Sequence, residues 1–182
     1  MLYADEGFGV RCVEALHARY VFPESVNVMD GGTQGIFLLP WVRSATRLLI
    51  FDAIDFGLEP ATLKLIVGDD VPRYMGAKKV SMHQAGFQEV LSSAALTGDF
   101  PAELALVGAQ PKILNDYGGS LTDGVKAQID PAVELACKVL TGWGVDFRER
   151  DHALADSDLI GPNALDIHDY EQGRPILPGE TA

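Results

Sequence analysis

A run of four apolar residues that ends in a carboxylate constrains the fold of this chain more than any other sequence feature. Residues Leu48 to Phe51 have the length of a strand and no polar position, which is typical of a strand covered on both faces. Asp52 follows at once, where that strand leaves the core. Because such a strand needs helices on both sides, the run predicts an α/β fold.

Strand and helix patterns alternate along the rest of the chain. Three further segments have strand patterns: 26–30, 63–67 and 104–107. Four regions have helical spacing of apolar residues: 10–20, 36–42, the segment that starts close to His83, and 125–140. Asp5 is placed to cap the first helix, and Pro131 predicts a kink or two abutting helices in the last. We expect a three-layer fold, with a mostly parallel twisted sheet flanked by helices on both faces.

Composition and charge exclude several classes of function. The 182 residues are 47% apolar and 22% charged, as in soluble globular proteins, and the net charge is −12. Nucleic acid and anionic membrane surfaces are therefore not expected partners. No apolar stretch is long enough to span a membrane and no signal peptide pattern is present, so we expect a cytoplasmic protein.

The acidic residues are concentrated near the end of the chain. Residues 151–182 contain seven acids, one base and three prolines, and they have no apolar periodicity. Such a segment cannot bury enough apolar surface to offset its ordering entropy. We therefore expect an α/β domain over residues 1–145 and an acidic, disordered tail over 146–182.

Three polar residues stand at strand or helix ends that an α/β topology gathers at one sheet edge: Glu6, Asp52 and His83. Each has a simpler interpretation, since Glu6 can interact with a helix dipole, Asp52 can cap a turn and His83 can lie on the surface. Together, two carboxylates and an imidazole could bind a divalent metal, with Asp30 as a further candidate. The motifs of serine hydrolases, zinc proteases and nucleotide-binding loops do not occur.

Four sequence blocks resemble the nickel–iron hydrogenase maturation endopeptidases. The blocks are Asp5–Arg11, Asp30–Gly35, Phe51–Asp55 and Ser81–Gly86, and the match extends roughly over residues 3–145. The resemblance implies a phosphorylase/hydrolase-like fold with a twisted five-stranded sheet. It also implies an endopeptidase that removes the C-terminal extension of the [NiFe]-hydrogenase large-subunit precursor after nickel insertion.

The same resemblance assigns the metal-contacting residues. It implies that Glu6, Asp52 and His83 contact nickel, and that this nickel is carried by the substrate rather than permanently bound. It does not identify the group that attacks the peptide bond. The implied partner is the hydrogenase large-subunit precursor.

One departure from the family concerns the first strand. The family begins with a hydrophobic strand and a Gly-x-Gly-Asn turn, whereas Met1 to Ala4 lead almost directly into Asp5 and Glu6. We therefore expect the first strand of the sheet to be missing. Two alternatives to an endopeptidase stay open: a truncated, non-catalytic module that binds the precursor, and a metal-dependent hydrolase of small molecules.

Overall fold

The structure is a computed structural model that describes residues 4–32, 34–77, 82–114, 116, 118–155 and 158–160, with only the backbone described at 75–77 and 82–86. The helices are α1 (Phe8–Arg19), α2 (Leu39–Ser44), α3 (Asp70–Ala77), α4 (Met82–Thr97), α5 (Asp123–Lys126) and α6 (Ile129–Gly142). The strands are β1 (Tyr20–Val21), β2 (Arg47–Ala53), β3 (Leu63–Val67), β4 (Glu103–Ala109) and β5 (Arg148–Glu149). Two 3-10 helices, Ala4–Gly7 and Gly35–Leu38, precede α1 and α2.

The main described sheet has three strands in the order β2-β4-β3. β2 and β4 are parallel along their whole length, from Arg47 opposite Glu103 to Ala53 opposite Ala109. β3 is antiparallel to β4, with Leu63 opposite Ala109. The nine residues between β2 and β3 explain that direction, since a parallel return needs a crossover of about a dozen residues or more.

Helices cover both faces of this sheet, which confirms the three-layer α/β fold. On one face, α1, α5 and α6 pack in a core that includes Phe8, Val107 and Val133. On the other face, α2, α3 and α4 pack in a core that includes Leu91 and Leu106. Alternate residues of β4 therefore enter different cores, as expected for a strand buried on both sides.

The predicted short strand Val26–Asp30 does not form, and the segment is irregular. A strand needs a neighbour for its N–H and C=O groups, and no strand of the described chain runs beside this segment. No strand precedes α1 in the described residues, which begin at Ala4. The described sheet thus has fewer strands than the five that the resemblance implied.

The last helical region forms two abutting helices, which confirms one of the outcomes expected from Pro131. The break between α5 and α6 lies at Ala127 and Gln128, before the proline. Pro131 itself lies in the first turn of α6, where its missing N–H costs no hydrogen bond. None of the described helices is long and apolar enough to cross a membrane.

The described chain continues past the expected domain boundary at residue 145. β5 pairs antiparallel with β1, and the Phe147 ring contacts Tyr20 at a centroid distance of 5.3 Å. The Arg150 N–H donates to the Arg19 carbonyl at 2.8 Å. The start of the expected tail is therefore joined to α1 and β1. Residues 161–182 lie outside the described ranges, so their disorder stays a prediction.

Candidate active site at the sheet edge

Asp52 lies at the edge of the sheet where β2 and β4 end and β3 begins. It is the penultimate residue of β2 and stands opposite Gly108 of β4. Side chains two residues apart in a strand share a face, and Ile50 packs in the core formed with α4. The Asp52 side chain is therefore on the α4 side of the sheet.

The Asp52 carboxyl group has few hydrogen bonds from the described residues to replace those that water would make. Its hydrogen-bond donor among the described residues is the backbone N–H of Ala53, at 2.8 Å. Burial raises the pKa of Asp52 to about 7, the Ala53 hydrogen bond opposes this effect, and the nearby charge of Glu6 adds to it. Near neutral pH this carboxyl is therefore poised between its two protonation states, and a cation would favour the carboxylate.

Glu6 approaches Asp52 from the 3-10 turn Ala4–Gly7, which lies against β2. The next element, α1, is held close to the same strand at Gly9. A β-carbon at Gly9 would lie 2.4 Å from the carbonyl oxygen of Phe51, so only glycine permits this packing. The start of α1 thus brings an acidic side chain to the end of β2.

Asp5 fixes the turn that contains Glu6, and it does not cap α1 as predicted. The carboxylate of Asp5 is fully buried and accepts the backbone N–H groups of Lys112, Ile113 and Thr122 at 2.8, 2.9 and 2.7 Å. The Thr122 hydroxyl donates to it at 3.0 Å. A buried carboxylate requires such donors, and here they come from the segments between β4 and α5. The helix instead begins after Gly7, without a side-chain cap.

Gln110 holds the loop that follows Asp52. Its side-chain oxygen accepts the N–H groups of Phe56 and Leu58 at 2.8 and 3.1 Å, and its amide nitrogen donates to Asp55 at 3.0 Å. Asp55 is therefore half-buried and hydrogen-bonded. Gln110 was not a candidate residue in the sequence analysis, because no local pattern connects it to the loop after Asp52.

His83 lies in the first turn of α4, which confirms that a helix starts close to it. Its side chain is outside the described residues, so its approach to Glu6 and Asp52 stays a prediction. Asp30 accepts the Gly32 N–H at 2.8 Å, as a turn residue does. Among the described side chains, no group of three His, Cys, Asp or Glu residues could hold a metal ion.

Comparisons with known proteins agree on one family. A family model described as hydrogenase maturation protease matches residues 10–139. The hydrogenase expression/formation protein HupD of Bradyrhizobium diazoefficiens is 53% identical over 94% of this chain and 89% of its own length. The hydrogenase 2 maturation protease of Escherichia coli is 40% identical over 83% of this chain and 92% of its own length.

Solved structures agree with the sequence comparisons. The hydrogenase maturating endopeptidase HybD from E. coli matches with a TM-score of 0.77 and 40% identity, over 82% of this chain and 91% of that one. A solution structure of an E. coli endopeptidase matches with a TM-score of 0.75. The chain belongs to the hydrogenase maturation protease family, whose members are endopeptidases.

Proposed function

We propose that this protein is a cytoplasmic endopeptidase that removes the C-terminal extension of a nickel-loaded [NiFe]-hydrogenase large-subunit precursor. The observation that carries the proposal is the position of two acidic residues at the end of β2: Asp52 is the penultimate residue of that strand, and Glu6 lies on the turn that packs against it. Two carboxyl groups that repel each other bind a divalent cation favourably, because the cation removes that repulsion. The names of the E. coli relatives support hydrogenase processing.

Nickel enters this proposal as part of the substrate. Glu6 and Asp52, with His83 from α4, would contact nickel that the precursor already holds with its own ligands. Contact through the metal makes recognition depend on nickel loading, because an empty precursor lacks the ion that joins the two proteins. A metal held in this way could polarise a carbonyl group or position a water molecule for hydrolysis.

An exposed apolar surface supports a protein as the substrate. Ile36, Phe37 and Trp41 are 53%, 77% and 50% exposed, although all three are large apolar residues. They lie on the 3-10 helix Gly35–Leu38 and on α2, which pack against α4. Clustered apolar side chains on a protein surface are typical of sites where another macromolecule binds.

The decisive experiment is a processing assay with purified protein. Nickel-loaded precursor should lose a C-terminal peptide, measured as a mass decrease by intact-protein mass spectrometry, and nickel-free precursor should stay intact. Glu6→Gln and His83→Ala should each slow processing at least about tenfold, the lower end of effects seen when metal-site partners are removed. Asp146→Asn is a matched control, since Asp146 is exposed and distant in sequence from the site.

Two results would contradict the proposal. Equal cleavage of nickel-free and nickel-loaded precursor would remove the role of the metal. A wild-type protein that binds the loaded precursor without shortening it would instead be the non-catalytic binding module.

A further inference from the structure

A second charged residue shares the sheet face of Asp52. Gly108 of β4 stands opposite Asp52 on one side and opposite Lys64 of β3 on the other. Residues that are opposite each other in neighbouring strands point to the same face, so Asp52 and Lys64 lie in one row on the α4 side. Their α-carbons are separated by two strand spacings, which is about 10 Å.

The middle of this row is covered by an aromatic ring rather than by a side chain of the sheet. A β-carbon at Gly108 would lie 2.7 Å from Cζ of Phe56, so the ring occupies the space that another residue would fill. Gln110 fixes the Phe56 backbone, as described above. The ring therefore forms an apolar surface between the acidic group and the lysine.

The Lys64 ammonium group contacts aromatic residues in the part of the chain that the structure describes. The group lies 5.4 Å from the centroid of the Phe56 ring and 5.0 Å from that of Tyr74, and it donates to the Tyr74 hydroxyl at 3.4 Å. No ion pair of the described residues involves Lys64, in a chain of net charge −12. A half-buried ammonium held by two rings keeps most of its capacity to bind an anion.

We propose that Lys64 binds a carboxylate of the hydrogenase precursor next to the nickel site and thereby contributes to substrate specificity. The inference rests on the proposed function, since it supposes that the precursor's metal sits at Asp52. An extended peptide of about three residues spans the distance from Asp52 to Lys64. The carboxylate therefore belongs to a residue within about three positions of a nickel-bound residue.

Two sources can supply such a carboxylate. The first is an acidic side chain of the precursor, present before cleavage. The second is the new C-terminal carboxylate of the product, which forms when the water oxygen bonds to the scissile carbonyl carbon, the C–N bond breaks and the leaving nitrogen takes a proton. The two sources differ in the step that Lys64 affects, which is substrate binding in the first and product binding in the second.

The test compares Lys64→Met with the wild type in the processing assay. Methionine keeps the unbranched side chain against the two rings and removes the charge. For an acidic side chain as ligand, KM for loaded precursor should rise about tenfold with kcat nearly unchanged, the size expected for one charge-assisted hydrogen bond. For the product carboxylate, KM should stay constant and inhibition by mature large subunit should weaken about tenfold.

Matched variants separate this role from general effects of charge and folding. Lys64→Arg keeps the charge and should stay within about twofold of wild type in both constants. Lys138→Met removes the same charge from an exposed position of α6, on the opposite side of the sheet, and should change neither constant. Neutralising the precursor's acidic residues near its nickel ligands, one at a time, should abolish the Lys64→Met effect at a single position if a side chain is bound.

The outcomes distinguish this inference from the proposed function. If wild-type protein cleaves the precursor and Lys64→Met leaves both KM and product inhibition unchanged, Lys64 has no role in substrate binding and only the inference fails. Equal effects of Lys64→Met and Lys138→Met would contradict it as well. If wild-type protein does not cleave the loaded precursor, the proposed function fails and the inference fails with it.

Discussion

Two carboxyl groups of this protein, Asp5 and Asp52, are shielded from water, Asp5 fully and Asp52 in part, and their hydrogen-bond partners differ sharply. Asp5 accepts three backbone N–H groups and one hydroxyl, from residues more than a hundred positions away. Among the described residues, Asp52 accepts one N–H, from its own neighbour, and it lies near the charge of Glu6. A buried carboxylate with a full set of donors stabilises the fold. A carboxylate with few donors is energetically unfavourable in its ionised form, and a bound cation would offset that cost.

The two groups are also connected. Asp5 directly precedes Glu6, so the donors that hold Asp5 also fix the backbone of the residue that approaches Asp52. The well-bonded carboxylate therefore determines where the second acidic group of the site lies. Substitutions at the two positions should affect different properties of the protein, and that difference can be measured.

The largest expected change in stability follows from Asp5→Ala. Removing the carboxylate leaves three backbone N–H groups and a hydroxyl without their acceptor, and each such buried group costs about 1–3 kcal/mol. Because the cavity can admit some water, we expect a total loss of about 3–5 kcal/mol, measured by urea unfolding. Asp146→Ala, at an exposed position, should change stability by less than about 0.5 kcal/mol. Similar losses in the two variants would show that the Asp5 contacts are weak.

Asp52→Asn should increase stability, unlike Asp5→Ala, and the size of this increase should depend on pH. The raised pKa of Asp52, about 7 against 3.8 for an ordinary aspartate, means that the folded state binds a proton which the unfolded state releases. This contribution is complete below about pH 4, and wild-type stability falls as the pH rises to 7. Asparagine cannot ionise. The difference in free energy of unfolding between the variant and the wild type should therefore shift in favour of the variant by about 2 kcal/mol from pH 5.5 to pH 8.5.

Urea unfolding of both proteins at these two pH values checks the expectation. The range stays above the isoelectric point of about 4.6, where this acidic chain would associate. Processing of loaded precursor should be lost at both pH values, since the amide cannot supply a carboxylate to the metal. A pH-independent difference in stability would mean that the Asp52 carboxyl is well solvated, and the contrast with Asp5 would disappear.

The same contrast explains which parts of the molecule the sequence could predict. β2, β4 and the helices α1, α2, α4 and α6 follow from apolar runs and spacing, because their patterns are local and strong. No helix was predicted over α3, because Pro72 and Gly76 are typical of a loop. The direction of β3 could not be predicted from its alternation, which is the same in either orientation. The segment 26–30 has a strand pattern but forms no strand, because a pattern does not supply a neighbour.

For the site, the residue types could be predicted and the contacts could not. Asp52 was identified because a carboxylate after a buried strand needs a partner. The role of Asp5 depends on donors at residues 112–122, which no local pattern connects to residue 5. Gln110 is similar, since its amide bonds to a loop more than fifty residues earlier. Long-range hydrogen bonds of this kind become visible only in the folded structure.

A smaller loss of stability is expected from Gly9→Ala, which tests how Glu6 is brought close to Asp52. The added methyl group would lie 2.4 Å from the Phe51 carbonyl oxygen, so α1 must move away from β2. Overpacking of this kind typically costs about 1–3 kcal/mol, and processing should slow because Glu6 moves with the helix. Gly142→Ala is the matched control, because a β-carbon there meets nothing within 4 Å.

Gly142→Ala should leave processing unchanged and raise stability by about 0.5–1 kcal/mol, the usual gain of alanine over glycine in a helix. Thermal unfolding measures the stability of both variants, and the processing assay measures their activity. If Gly9→Ala is as harmless as Gly142→Ala, the close approach of α1 to β2 is not what positions Glu6.

The smallest expected effect, from Thr122→Val, asks how far the donors of Asp5 are redundant. Valine keeps the shape of threonine and removes one hydroxyl donor, while the three backbone N–H groups that Asp5 accepts remain. A carboxylate with three donors is still satisfied, so the loss should be about 1 kcal/mol, the net value of one hydrogen bond. Processing should stay within about twofold of wild type, because Glu6 keeps its position. Urea unfolding and the processing assay measure both, with Thr97→Val, exposed near the end of α4, as control.

A loss as large as that of Asp5→Ala would mean that the hydroxyl dominates. Asp5 would then depend on a single donor, as Asp52 does within the described ranges, and the number of donors would not explain why one carboxylate stabilises the fold and the other belongs to the site.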